Sequence, residues 1–114
     1  MSEDLNELRK IVQDHLLKKI PGMLSFLNTL CIINNGVDCI TLLFTSPSKL
    51  YISLLNHYRG DMLSTDYAFT LAFLNPLLQY LKHYELASQL LELAKTGRDK
   101  EFIDLILRYR STPQ

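Results

Sequence analysis

Apolar residues recur along this chain at helical spacing, and the pattern changes character as it proceeds. Leu5, Leu8, Val12 and Leu16 fall three and four apart and line one face of a first helix. Ser2 is placed to cap its start. Glu3 and Asp4 lie in its first turn and Lys18 and Lys19 in its last, which complements the helix dipole at both ends. Pro21-Gly22 then stops or bends the chain. Beyond it charge nearly vanishes: Asp38 is the one charged residue among the 29 from Ile20 to Ser48. Met23, Leu24, Phe26, Leu27, Leu30, Cys31 and Ile32 cover almost every side of a helix, which predicts that this segment is enclosed.

Asn34-Asn35-Gly36 ends that segment, because Asn and Gly accept the left-handed conformation that follows a helix. A competing reading exists here. Leu30–Ile33 and Val37–Leu42 are β-prone runs around Asn35-Gly36, a strong hairpin signal. A lone two-stranded hairpin is marginal and no third strand is visible, so helix, turn and short helix is the expectation for residues 30–44.

Ser46-Pro47 reads as a helix start, followed by Tyr51, Leu54, Leu55 and Tyr58 on one face and Gly60 at the end. Ser64, Thr65 or Asp66 is expected to cap the next helix, whose uncharged run Tyr67–Leu74 should be central, and Pro76 predicts a kink or a break. Leu77, Leu81, Leu86, Leu90 and Leu93 carry helix on to Lys95, with a break near Tyr84. Thr96-Gly97 ends it, and Asp99 is placed to cap a last helix holding Phe102, Ile103, Ile106 and Tyr109. The expected architecture is all-α: a compact five- to seven-helix bundle or orthogonal array ending in an αα-hairpin. It forms one domain over residues 1–110, with a short tail at 111–114. No second copy of the hairpin pattern appears upstream, so a repeat array is not expected.

Composition narrows the classes. The chain has 114 residues, 47% hydrophobic and 21% charged, which is one small core and neither disorder nor collagen. Twelve Lys/Arg balance twelve Asp/Glu, arguing against attraction of the whole surface to nucleic acid or anionic lipid. The acidic start and the absence of an apolar run of about 18–20 residues predict neither a signal peptide nor a membrane span, hence a cytoplasmic protein. Cys31 and Cys39, with seven residues between them in apolar company, fit no zinc spacing and read as two reduced thiols acting as small core hydrophobes.

Candidate chemistry is sparse. His15, His57 and His83 form no His-x-x-x-His or Glu-x-x-His pair, so no metal or other cofactor is expected, and no small-molecule substrate suggests itself. Neither cysteine has a neighbouring cation that would activate it. Arg9 and His15 stand six apart, a spacing that loosely resembles the Arg/His pattern of small helical ribonucleases. On an ideal helix, however, six residues leave the two side chains about 120° apart. A metal-independent ribonuclease is therefore the third-ranked reading, and a non-enzymatic protein is expected. Arg59-Gly60-Asp61 spells an integrin-binding tripeptide but reads as a helix end and loop.

Arg98, Lys100, Arg108, Tyr109 and Arg110 make a small basic, aromatic cluster near the C-terminus, the basis of an alternative reading as a nucleic-acid-associated subunit. The same cations also suit solvated positions toward a helix C-terminus. The apolar surplus points elsewhere: leucine alone supplies 24 residues, and a domain this small buries only about two-thirds of its unfolded surface. The leading expectation is a helical interaction module or small assembly subunit that meets a second copy or a protein partner through apolar helix faces.

Overall fold

The computed structural model describes residues 2–111, with side chains placed for residues 5–110. The expected capping role of Ser2, the first-turn charges Glu3 and Asp4, and residues 112–114 of the expected tail lie outside what is described. Helices α1 (Ser2–Lys19) and α2 (Pro21–Asn35) meet at Ile20, so Pro21 begins the second helix as closely as it ends the first. Next come α3 (Cys39–Leu43) and α4 (Pro47–His57). A long rod follows, made of α5 (Met62–Phe69), a π-helical segment at Thr70–Leu74 and α6 (Asn75–Leu81). A 3₁₀ turn at Tyr84–Leu86 leads into α7 (Ala87–Lys95) and then α8 (Asp99–Ser111), one residue longer than its predicted end. The described residues form helices and turns without a strand, so the hairpin reading of residues 30–44 gives way to helix, turn and short helix.

Gly36 shows why. Its φ of 81° lies in the left-handed region, and its N–H donates to the Ile32 carbonyl at 2.8 Å, which closes α2. Asp38 then caps α3, accepting from the Thr41 amide and, at 2.7 Å, from the Thr41 hydroxyl. This turn folds α3 back on α2 and brings the Cα atoms of Cys31 and Cys39 to 5.3 Å, where their sulfurs are joined. The reading of two separate reduced thiols is thereby corrected. Both residues are fully buried, as small core hydrophobes would be, but they act as a covalent staple. Sequence spacing says nothing about a turn that makes residues eight apart into neighbours.

Pro76 produces no break. The backbone upstream widens into the π segment, where the Asn75 N–H reaches the Thr70 carbonyl, and the rod continues into α6. The break falls later, at left-handed Lys82 and the 3₁₀ turn, where the apolar spacing changes near Tyr84.

Three caps differ from expectation. Asp61, rather than Ser64, Thr65 or Asp66, caps α5 by accepting from the Leu63 and Ser64 amides. Ser46 does not cap α4 with its own oxygen. Its hydroxyl donates to Asp99 at 2.7 Å, and Asp99 also accepts from the Ser48 amide at 2.8 Å. The carboxylate expected to cap α8 thus serves the start of α4 from 51 residues away, a contact of the kind worth about 1 kcal/mol.

The core is continuous. Leu8, Val12 and Leu16 enter it from α1, and Phe69, Phe73 and Phe102 meet at its centre, with ring centroids 6.1 and 6.5 Å from Phe69. At its edge the Tyr51 hydroxyl donates to Asp66 at 2.6 Å, and Lys95 donates to the other Asp66 oxygen at 3.1 Å. This triad ties α4, α5 and α7 together. Burial, reinforced by the Asp66 carboxylate, pushes the Tyr51 phenol well above its ordinary value, so it stays a donor.

Candidate functional site

The feature that stands out is an apolar face left open. α2 carries no charge, and its inner side packs through Leu24, Leu27 and Cys31. A helix apolar on all sides requires cover on all sides. Here the outer side lacks it: Phe26, Ile32 and Ile33 are exposed, Ile33 by 76%. The prediction that this helix is enclosed is corrected, because a domain this small has no further layer to lay over it. The uncharged run Tyr67–Leu74 is corrected in part. Phe69, Phe73 and Leu74 are central, whereas Tyr67 and Leu71 face outward.

These surfaces join. Phe26 of α2 meets the His57 ring edge-on at 5.0 Å, and His57 meets Tyr58 at 4.9 Å. Tyr58 in turn borders an apolar cavity of about 100 Å³, whose walls include Ile20, Met23, Tyr67, Leu71 and Phe73. Leu63 stands one turn before Tyr67 on α5 and is 83% exposed, the most of any large apolar residue described. The result is a band from Phe26 through the cavity to Leu63, bordered by Arg59 and Asp61 of the α4–α5 turn. The Asp61 carboxyl is held below its usual range, chiefly by the Ser64 hydroxyl and amide, so it keeps its charge while capping α5.

The basic cluster is differently placed. Arg98 pairs with Glu101, with Nε donating at 2.9 Å, and Lys100 pairs with Asp104 at 3.1 Å. Arg110 pairs with Glu7 of α1 and lies over the Tyr80 ring. Hydrogen bonds from Arg98 and Arg110 hold the Glu101 and Glu7 carboxyls below their usual range. Tyr109 packs edge-on against the His83 ring at 4.6 Å. Arg98 and Arg108 line an open cleft of about 340 Å³ between α7 and α8 together with Glu92, Glu101 and Asp104, so carboxylates outnumber guanidinium groups there. The structure therefore divides the five residues: Arg98 and Arg108 share a mixed-charge cleft, Lys100 reaches out to Asp104 at the surface, and Tyr109 and Arg110 engage α1, α6 and the segment before α7.

Arg9 and His15 also have separate surroundings. Arg9 donates to the Thr41 hydroxyl at 2.9 Å beside the α3 cap. His15 lines a shallow depression with Ile11, Pro76, Gln79 and Tyr80. Burial, and then the charge of Lys19, lower its pKa and favour the neutral ring. Among the described residues no group of three or more His, Cys, Asp or Glu side chains is arranged to hold a metal ion. Nor, among them, is any helix long and apolar enough to cross a membrane.

The chain matches no family model, no curated protein and no solved structure.

Sequence reasoning located the apolar surplus but not where it surfaces. The charge-free run from Ile20 to Val37 was the signal, and the missing information was which side of α2 the rest of the molecule covers.

Proposed function

We propose that this protein is a non-enzymatic helical interaction module that self-associates through its uncharged apolar face. One observation carries the reading: the band from Phe26 across the cavity to Leu63 is largely apolar and open to solvent, and the residues that form it include no Asp, Glu, Lys or Arg. The amount of surface is ordinary. The accessible area of 6510 Å² is close to the roughly 6,400 Å² expected of a monomer of this mass. What departs from the ordinary is how the apolar part of that area is grouped.

The ion pairs of Arg98, Lys100 and Arg110 favour this reading over a nucleic-acid role, because cations already beside carboxylates gain less from phosphate. A cytoplasmic site remains the proposed location, on one condition. Disulfides are scarce in that compartment, and the Cys31–Cys39 link depends there on its complete burial away from reductants.

Light scattering over a wide concentration range tests the proposal. A mass at or above twice 13.2 kDa that falls on dilution is expected. A mass of one chain throughout, up to about millimolar protein where weak contacts fill, would overturn self-association.

A further inference from the structure

We infer that Leu63 is the knob, and the neighbouring apolar cavity the socket, of a two-fold dimer in which each copy inserts Leu63 into the other. This rests on the self-association proposed above and names its contact. A two-fold interface is self-complementary: where residue i of one copy meets j of the other, j also meets i. A face suited to it carries a projection and a matching recess side by side. Here the projection, Leu63, lies one helical turn from Tyr67, which forms part of the recess wall. The recess, about 100 Å³ and lined by Met23, Tyr58, Leu71 and their neighbours, has the scale of one aliphatic side chain.

Charge favours a second copy as the occupant. Two-fold docking brings a face against itself, so any charge near the axis meets its own kind; the walls of the recess and Leu63 beside it include no ionisable acid, lysine, arginine or histidine. At its margin the α4–α5 turn presents Arg59 and Asp61, both exposed and opposite in sign. A two-fold axis beside this turn sets Arg59 of one copy toward Asp61 of the other, twice. Exposed ring area contributes as well. Tyr67 at 69% and Phe26 at 46% exposure leave on the order of 200 Å² of ring uncovered. That is about a quarter of the ~800 Å² each partner of a stable dimer covers, before Met62, Leu63 and Leu71 are included.

The test compares two exposed large hydrophobic residues in the full chain by sedimentation equilibrium. Leu63→Asp is expected to raise the dimer Kd about 100-fold or more, as removal of a central anchor does. Tyr84→Asp, 60% exposed in the 3₁₀ turn before α7 and outside the band, is expected to change it by less than about 3-fold. Both positions are exposed, so both variants should keep the parent's helical circular dichroism, and its melting temperature at protein concentrations low enough for the parent to be monomeric. Ala68→Phe, which fills the socket without adding charge, should weaken the dimer as Leu63→Asp does. A parent dimer indifferent to Leu63→Asp and Ala68→Phe would overturn the knob and socket while leaving self-association standing. A parent that is monomeric throughout would overturn both.

Discussion

α2 and α8 are of similar length, yet they solve the problem of the helix surface in opposite ways. α8 separates its residues cleanly. Phe102, Leu105 and Ile106 face the core, while Lys100, Glu101, Asp104 and Arg108 face water, several of them in ion pairs with neighbours. α2 has an inner apolar side and an outer side with Phe26, Ile32 and Ile33 among Ser25 and Thr29, and no charge anywhere. A helix of the first kind is complete once one side is packed. A helix of the second kind leaves apolar surface in water, where each buried Å² would be worth roughly 25 cal/mol. The difference separates a helix whose apolar residues are all buried or partly buried from one that leaves part of its apolar surface in water.

Three measurements bear on that contrast. The largest effect is expected from paired truncations followed by urea denaturation at low protein concentration. Phe102→Ala, in the core side of α8, should cost about 3–5 kcal/mol. Phe26→Ala, on the outer side of α2, should cost about 1 kcal/mol or less. Equal losses would mean that the outer side of α2 is part of the folding core, and the contrast would fail. Next comes the staple behind α2. Replacing both Cys31 and Cys39 by Ala should cost about 2–3 kcal/mol, the value of closing a loop this short in the unfolded chain. A variant as stable as the parent, with two alkylatable thiols in the denatured parent, would remove the link from the account.

The smallest effect concerns the exposed ion pairs of α8. The Glu101 carboxyl is depressed below its ordinary 4.5, mainly by the Arg98 hydrogen bond. A depressed carboxylate favours folding above its unfolded pKa, and that contribution fades as pH falls through the folded value. Glu101→Gln should therefore lessen the decline of stability below about pH 4.5 and change little at pH 7. An unaltered acid profile would show that this pair does not help to stabilise α8.

Much of the fold was legible along the chain. The Leu8, Val12 and Leu16 stripe, the turn at Gly36, the start at Pro47 and the hairpin of α7 and α8 all follow from neighbours three and four apart or from residues with special backbone freedom. The misses share a cause. Asp99 reads as a cap for its own helix, and only packing shows it at the start of α4. Pro76 reads as a disruption, and only the π segment before it shows how the rod absorbs it. Cys31 and Cys39 read as separate thiols until the Gly36 turn brings them together. The candidate surface divides the same way. The lack of charge on its α2 part is written in residues 20–37, whereas the cavity draws on α2, α4, α5 and the π segment and exists only once all four are assembled.

By itself the sequence determined an all-helical chain with more apolar helix surface than one small core absorbs. Helical periodicity is local, and hydrophobic content adds up residue by residue. Tertiary structure alone decided which of those surfaces went inside, which carboxylate capped which helix, and that Leu63 stands beside a recess. Those outcomes depend on groups distant in sequence competing for the same limited interior, and no spacing along the chain records who prevails.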